Sequence, residues 1–241
     1  TYTIRKFGHA NDKELLLTFD DGPDERWTPT VLKTLKKYNV PAAFFMVGLQ
    51  MEKNLPLVEK VYESGNTIGN HTFTHHNVIE NSDDRTYAEL KLTRMLVESV
   101  TGHSTTLFRA PYNADADPTQ REEIEPMILA SRRNYLFVGE EVDPNDWQPG
   151  ITADEIYRRV IDGVHHGDGH IILMHDAGGE TRKPTMEALP RIIATLQHEG
   201  YRFISLEQYL GMSRDQLMPA IPKGETYYAM QANLTLAEII Y

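Results

Sequence analysis

The chain has 241 residues, 40% of them hydrophobic, and a formal net charge of -11 at pH 7. A chain of this length can bury a sizeable core and is most simply one domain, because barrels of this size commonly are. The acidic balance argues against a nucleic-acid partner, which usually meets a basic face. The absence of cysteine excludes thiolate metal sites, cysteine nucleophiles and disulfides. No apolar run reaches the roughly 18 residues that indicate a membrane span.

Predicted strands and helices alternate along the chain. Short apolar runs predict strands at 15–19, 42–47, 67–69, 107–108, 135–138, 171–174 and 201–204. Apolar residues at helical spacing predict helices around 31–38, 57–62, 86–100, 119–131, 156–164 and 189–196. Gly65, Gly102 and Gly200 are predicted to end three of these helices. About seven β/α units imply a parallel sheet with helices outside, and at this length a barrel is favoured over an open sheet.

Charged and polar residues follow the carboxyl ends of five predicted strands, where β/α barrels build their chemistry. These residues are Asp20 and Asp21, His71, Arg109, the segment 143–147, and His175. The adjacent carboxylates of Asp20 and Asp21 precede a Gly-Pro turn. Alone they would suit a solvated turn, but two like charges held close are costly unless they share a cation or a proton. Their place among five such strand ends favours a functional site.

Two histidines offer a metal site. His71 and His75 stand at positions i and i+4, so they face the same way if the segment turns helically. On their own they suit a solvated loop equally well, with His76 as a further neighbour. Together with Asp21 they supply two nitrogens and one carboxylate, and they leave positions open for water and substrate. Such a set suits zinc or a related divalent ion, and the same type of triad serves non-haem iron oxygenases.

Three further features each have a structural and a functional interpretation. Arg109 is either a surface ion-pairing residue or a guanidinium that orients a carboxylate. The segment 143–147 is either a set of solvated acids around a core Trp147, or a functional loop. In the second case one acid holds another site residue and the Trp147 indole forms a wall of the binding groove. A lone histidine such as His175 is more often a hydrogen-bonded core residue. Its place at the same mouth as a metal site favours a functional role here.

The motifs occur in a fixed order: Thr18–Pro23, His71-x-x-x-His75, Arg109-x-Pro111-Tyr112, Asp143-x-x-Asp146-Trp147 and Leu173-x-His175. Together they resemble the five motifs of the polysaccharide deacetylase family, also called carbohydrate esterase family 4 or the NodB homology domain. The resemblance covers about residues 12–210. It implies an α/β fold, a distorted (β/α)7 barrel of NodB type. It also implies metal-dependent removal of N-acetyl groups from polysaccharides or oligosaccharides that contain N-acetylglucosamine.

The resemblance also implies the principal roles in the reaction. Asp20 would be the general base and His175 the general acid. One divalent ion, zinc with cobalt or nickel as alternatives, would be held by Asp21, His71 and His75.

Supporting roles are implied for other motif residues. Arg109 would orient Asp20, and the backbone N–H of Tyr112 would bind the oxyanion. Asp146 would tune His175. The acetyl pocket would be lined by Trp147 and Leu173, and Tyr112 would also contact substrate.

Residues 1–210 are predicted to form the catalytic domain, and residues 211–241 a C-terminal extension. The extension ends in apolar residues, at 234, 236, 239 and 240, which indicates that something follows in the natural protein. Some family members are fused to a membrane-bound glycosyltransferase, so such a fusion is one prediction.

The segment 113–118 departs from the usual family pattern, which puts substrate contacts on that side in doubt. The expected location is extracellular or facing the cell envelope, with targeting information left outside these residues.

Three other functions compete with N-deacetylation. An iron oxygenase would use the same triad but leaves Asp20, Arg109 and His175 without roles. A non-catalytic sugar-binding module is a different class, and degenerate relatives usually lose a base or a ligand, whereas all are present here. An O-acetyl esterase acting on xylan would use the same site, because ester and amide hydrolysis need the same groups.

Overall fold

The computed structural model describes residues 13–80, 82–113 and 121–222. Its strands are β1 (Glu14–Asp20), β2 (Ala42–Met46), β3 (Thr67–Asn70), β4 (Leu107–Phe108), β5 (Leu136–Phe137), β6 (Ile171–His175) and β7 (Arg202–Phe203). Its helices are α1 (Thr28–Tyr38), α2 (Gly48–Lys53), α3 (Leu55–Glu63), α4 (Asp83–Thr101), α5 (Arg121–Arg132), α6 (Ala153–His166), α7 (Lys183–His198), α8 (Leu206–Leu210) and α9 (Arg214–Leu217). All seven predicted strands are confirmed.

The strands form one parallel sheet in the order β5-β4-β3-β2-β1-β6, and β7 pairs with the first residues of β1. The sheet curls so that its two ends approach each other. Val142, which follows β5, forms a bridge with Ile172 of β6, and the N–H of Leu173 donates to the carbonyl of Val142 at 3.0 Å. The result is a distorted barrel whose strands all end at one mouth, as predicted.

Alternate residues of β1 point to opposite sides of the sheet, as the pleat of a strand requires. Leu15, Leu17 and Phe19 are buried in the core between sheet and helices, where Phe19 stacks on Phe44 at 5.2 Å. Leu16 belongs to a second core on the other side of the sheet, inside the barrel. Thr18 and Asp20 therefore share the interior side of β1 with Leu16, which places Asp20 at the mouth.

Helix ends follow the local sequence closely in most places. Gly102 ends α4 in the left-handed conformation, with φ of 71°, as predicted. Gly65 and Gly200 are also left-handed, but each follows the residue that caps the helix, Ser64 or Glu199. The helices α2, α8 and α9 were not predicted, because segments of four to six residues are too short to show an apolar stripe.

The first part of the predicted C-terminal extension packs against the barrel. Leu217 and Met218 are buried, and the N–H of Thr106 donates to the carbonyl of Leu217 at 2.9 Å. The division at residue 210 stays a prediction, and the apolar residues 234–240 lie outside the described part of the chain. Over the ranges that the structure describes, every helix is too short or too polar to cross a membrane.

Candidate active site

A buried ion pair stands at the end of β1. Arg109 is 1% exposed, and its Nη1 donates to Asp20 Oδ1 and to Thr18 Oγ1, each at 2.8 Å. Its other guanidinium nitrogens donate to the backbone carbonyls of Val138 and Gly139, at 2.9 Å and 2.7 Å. The interpretation of Arg109 as a surface ion-pairing residue is therefore wrong. The guanidinium is held in one orientation and fixes one oxygen of Asp20.

The three predicted metal ligands lie together at the same mouth. Asp21 Oδ1 lies 3.0 Å from His75 Nε2 and 3.5 Å from His71 Nε2. One candidate ligand atom from each residue falls within 4.8 Å of the others. The condition of a helical turn is not met, because residues 71–77 form no helix. The histidines converge instead because Thr72 and His75 are left-handed, with φ of 63° and 58°.

The donor set fits a divalent cation. His71 Nδ1 lies 2.8 Å from the backbone carbonyl of Arg109, so Nδ1 carries the hydrogen and the neutral ring presents a lone pair at Nε2. Asp21 Oδ1 is buried and makes no hydrogen bond of acceptable geometry. Lone pairs that face one another across a buried space need a cation or a proton between them. Two imidazole nitrogens and a carboxylate are common ligands of zinc and related ions.

The charges around these groups have the same consequence. Burial raises the pKa of Asp21, but the neighbouring His71 and His75 outweigh it and hold that pKa well below its usual range. Burial lowers the pKa of His71, but Asp20 and Asp21 outweigh it and raise that pKa. The carboxylates of Asp20 and Asp21 thus favour positive charge at this point, which a divalent ion held by the two imidazole nitrogens would supply.

The candidate general acid ends β6 and is held by an aspartate. His175 Nδ1 lies 2.6 Å from Asp146 Oδ1, and the backbone N–H of His175 donates to Asp146 Oδ2 at 3.0 Å. Burial alone would lower the pKa of His175, but the Asp146 carboxylate and the charges of Asp21 and Asp20 raise it to about 9. The imidazole is therefore protonated at neutral pH, as a general acid must be.

Asp146 is itself fixed by residues at the start of α7, the N-cap residue Arg182 and Thr185 of the first turn. Thr185 Oγ1 donates to Asp146 Oδ2 at 2.7 Å, and Arg182 Nη1 donates to the Asp146 carbonyl at 3.1 Å. Burial raises the pKa of Asp146, but His175, Arg182 and Thr185 outweigh it and keep that pKa below its usual value. The carboxylate therefore stays ionised beside the imidazole.

The rim of the mouth carries two large exposed side chains. Trp147 is 51% exposed and Tyr112 is 68% exposed, so the interpretation of Trp147 as a core residue is wrong. The Tyr112 ring meets the His75 ring edge-on at 4.8 Å. Leu173 is buried and stands two residues before His175 on the same side of β6. Tyr112 therefore adjoins the proposed metal cluster, and Leu173 and Trp147 stand close to the residues of the His175–Asp146 pair in the chain.

Sequence reasoning missed the residues that hold the site in place. Thr18 opens the first motif but was given no role, and Arg182 and Thr185 belong to no spacing pattern that marks a ligand or a catalytic group, yet all three contact site residues. Glu89 is also missed, although it is buried and bonded to the loop between the two histidines. It forms an i,i+4 pair with Arg85, a pattern typical of a solvated helix surface.

The fold and the site together define the class of protein. A curled α/β barrel whose mouth brings together a cation-binding triad, a buried carboxylate and a protonated histidine is suited to metal-assisted hydrolysis.

Comparison with known proteins then gives the family. The sequence profile of the family described as polysaccharide deacetylase matches residues 8–125. A peptidoglycan-N-acetylglucosamine deacetylase of Bacillus cereus is 32% identical over 216 residues, which cover 89% of this chain and 74% of the relative. The chain belongs to the polysaccharide deacetylase family.

Two solved structures share the fold. One is a peptidoglycan N-acetylglucosamine deacetylase bound to a naphthalenyl N-hydroxybenzamide, with a TM-score of 0.77, 32% identity, and coverage of 86% of this chain and 92% of that chain. The other is a family 4 acetyl xylan esterase from Clostridium thermocellum in complex with cobalt, with a TM-score of 0.70, 34% identity, and coverage of 85% and 95%. The family and fold predicted from the five motifs are confirmed.

Proposed function

We propose that this protein is a metal-dependent hydrolase that removes N-acetyl groups from glycans containing N-acetylglucosamine. The proposal rests on one observation: a cation-binding cluster, a candidate base and a candidate acid lie together at the carboxyl end of the barrel strands. The cation-binding cluster of Asp21, His71 and His75 adjoins Asp20, whose Oδ2 lies 3.7 Å from His71 Nε2. His175 is the register partner of Asp20 on the neighbouring strand. The reaction named for the Bacillus cereus relative supports the same activity.

The residues divide the work of amide hydrolysis. A divalent ion held by Asp21, His71 and His75 would supply Lewis-acid polarisation of the acetyl carbonyl and lower the pKa of the attacking water. Asp20 accepts a proton from that water as its oxygen bonds to the acetyl carbon. Arg109 keeps the Asp20 carboxylate in a single orientation.

His175 completes the reaction on the leaving group. Its Nδ1 is engaged by Asp146, so Nε2 is the nitrogen that donates a proton to the amine as the C–N bond breaks. The products are acetate and a free amino sugar. We assign the Tyr112 backbone N–H to the oxyanion, where loss of one donor typically costs on the order of 10²–10³ in rate. Trp147 and Leu173 are assigned to the acetyl pocket.

The proposed ion is zinc, with cobalt and nickel as alternatives. Two imidazoles and one carboxylate with open positions suit each of these ions, so the availability of each metal decides which one is bound. The cobalt ion in the Clostridium thermocellum esterase structure supports a divalent ion in this fold. An iron oxygenase is disfavoured because it leaves the Arg109–Asp20 pair and the Asp146–His175 pair without roles.

We propose that the protein acts outside the cell or facing the cell envelope, where such a glycan would be met. The Bacillus cereus relative is named for peptidoglycan, a wall polymer, which supports that location. The fusion to a glycosyltransferase stays a prediction.

Acetate release from purified, metal-reconstituted protein tests the proposal. Chitin oligosaccharides, peptidoglycan glycan and poly-N-acetylglucosamine carry the acetamido group, whereas acetylxylan carries an acetyl ester. We expect acetate from at least one of the first three and faster turnover there than on acetylxylan. Faster turnover on acetylxylan would favour the O-acetyl esterase, which the similarity to the xylan esterase makes the second candidate. Acetate from none of the four would contradict both.

A further inference from the structure

The loop that carries both histidines, residues 71–75, rests on a buried carboxylate of α4. Glu89 is 0% exposed. Its Oε2 accepts hydrogen bonds from the backbone N–H groups of Phe73 at 2.8 Å and Thr74 at 2.7 Å, and its Oε1 accepts one from Thr74 Oγ1 at 2.7 Å. We infer that Glu89 is a positioning residue that holds this loop in its metal-binding shape, an inference that rests on the proposed function.

The negative charge of this carboxylate is paired with a neighbouring arginine. Arg85, one turn earlier in α4, donates to Glu89 Oε1 from Nε at 2.8 Å, and its Nη2 lies 2.6 Å from the same oxygen. A buried charge is costly unless it is paired and hydrogen-bonded. Both oxygens of Glu89 therefore act as acceptors, one mainly for the loop backbone and the other for Thr74 and Arg85.

The loop needs this support because its backbone is unfavourable. Thr72 and His75 are both left-handed, a conformation that residues with a side chain rarely adopt unless the surroundings impose it. The carbonyls of Thr72 and Phe73 accept from the N–H groups of Gly48 and Leu49 in α2, at 3.0 Å and 2.9 Å. The loop backbone is thus clamped between α2, which takes its carbonyls, and Glu89, which takes its N–H groups.

Loss of the carboxylate would loosen one side of this clamp. Glu89→Gln keeps the side-chain volume but turns one acceptor into an NH2 group that faces donors. Whichever way the amide is turned, one set of buried donors would lack an acceptor, either the loop N–H groups of Phe73 and Thr74 or the Arg85 guanidinium. A shift between α4 and the loop would relieve this. His71 and His75 stand on either side of these two amides, so such a shift would move their ring nitrogens apart. The metal-free site would then no longer have the geometry that binds an ion, and metal affinity would fall.

The test compares Glu89→Gln with a matched change on the same helix. Glu98→Gln removes the charge of another i,i+4 pair, since Glu98 lies 3.5 Å from Arg94 and accepts from Ser104 Oγ at 2.6 Å. Metal-free full-length protein is titrated with Zn2+ in competition with a chromophoric chelator, and thermal unfolding of each metal-free variant is recorded. We expect Glu89→Gln to weaken zinc affinity by ~10–100-fold, the range typical of residues that orient metal ligands. Glu98→Gln should change it less than about threefold.

A milder variant covers the case in which Glu89→Gln does not fold. Thr74→Ala removes one of the three hydrogen bonds from the loop to Glu89, and we expect a loss of zinc affinity of several fold, with Thr74→Ser close to wild type. Zinc affinity equal to wild type in folded Glu89→Gln or Thr74→Ala overturns the inference, as does an equal loss in Glu98→Gln. If wild type itself binds no zinc, the proposed function fails, which is a different result.

Discussion

The two sides of the active site are built in different ways. On the proposed metal side the candidate ligands stand on irregular backbone, with Asp21 and His75 both at positive φ. On the acid side His175 ends a regular strand, and its partner Asp146 is fixed by side-chain hydrogen bonds from the next helix. The metal side therefore depends on loop shape, whereas the acid side depends on burial and charge. Changes to the first should abolish activity on every substrate, while changes to the second should give graded effects that depend on pH and leaving group.

The largest effect is expected for His75→Ala, which removes one of the three proposed ligands. Metal affinity should fall by more than the ~100-fold typical of residues that orient the ligands without binding the metal themselves. Turnover of amide and ester substrates should fall together. Metal analysis and acetate release measure the two effects. His76→Ala is the control, because His76 is exposed and lies outside the ligand cluster. Undiminished metal stoichiometry in His75→Ala would contradict the assignment.

Asp20→Asn should come next, because it removes the proposed base but leaves the ligands in place. An amide cannot accept the proton of water, so we expect turnover to fall by roughly 10²–10⁴ on both substrate types. Metal content should stay at the wild-type level. Turnover within about tenfold of wild type would mean that another group is the base.

His175→Ala should distinguish substrates by their leaving groups. An amine cannot depart without a proton, so amide cleavage should slow by roughly 10²–10⁴, while an activated acetyl ester should slow much less. The raised pKa of His175, about 9, gives the sign of the pH dependence. The acid form persists below that value and is lost above it, so wild-type activity should fall on the alkaline side, and the variant should lack this limb. A bound cation disfavours the positively charged imidazole, so it lowers the pKa of His175 and moves the alkaline fall in activity to lower pH. Equal slowing of both substrates, with a loss of thermal stability, would make His175 a structural residue.

The smallest effect is expected for Asp146→Asn. Without the Asp146 carboxylate, the main cause that raises the pKa of His175 is lost, so that pKa falls from about 9. Amide turnover at neutral pH should drop by about tenfold, since each pH unit is a tenfold change in protonation. It should partly recover at lower pH, which His175→Ala cannot do. A pH profile with an unmoved alkaline limb would count against the role of Asp146.

Much of this site was predictable because its groups stand at strand ends. Each predicted strand exists, and Asp20, Arg109 and His175 reach the mouth for that reason. The histidine pair was predicted on a helical spacing, and that reason is wrong, since left-handed residues bring His71 and His75 together. Local spacing carries no signal for such a turn, because its backbone is imposed by tertiary contacts.

The supporting residues could not be found from local pattern at all. Glu89 and Arg85 have the spacing of an ordinary solvated pair, and their burial arises from where the loop 71–75 lands on α4. Thr185 likewise looks like any threonine in the first turn of a helix, yet it lies buried against Asp146. Their roles depend on contacts between residues far apart in the chain, as with the 39 positions that separate Thr185 from Asp146.

The position of β1 in the sheet has a consequence for how the protein loses activity. β1 pairs with β2 along one edge, and along the other with β7 near its start and with β6 over Leu16–Asp20. A strand enclosed in this way cannot detach by fraying, so its amide hydrogens should exchange with solvent only when the whole domain unfolds. Asp20 ends that strand, so its loss from the site under heat or denaturant should follow the transition of global unfolding.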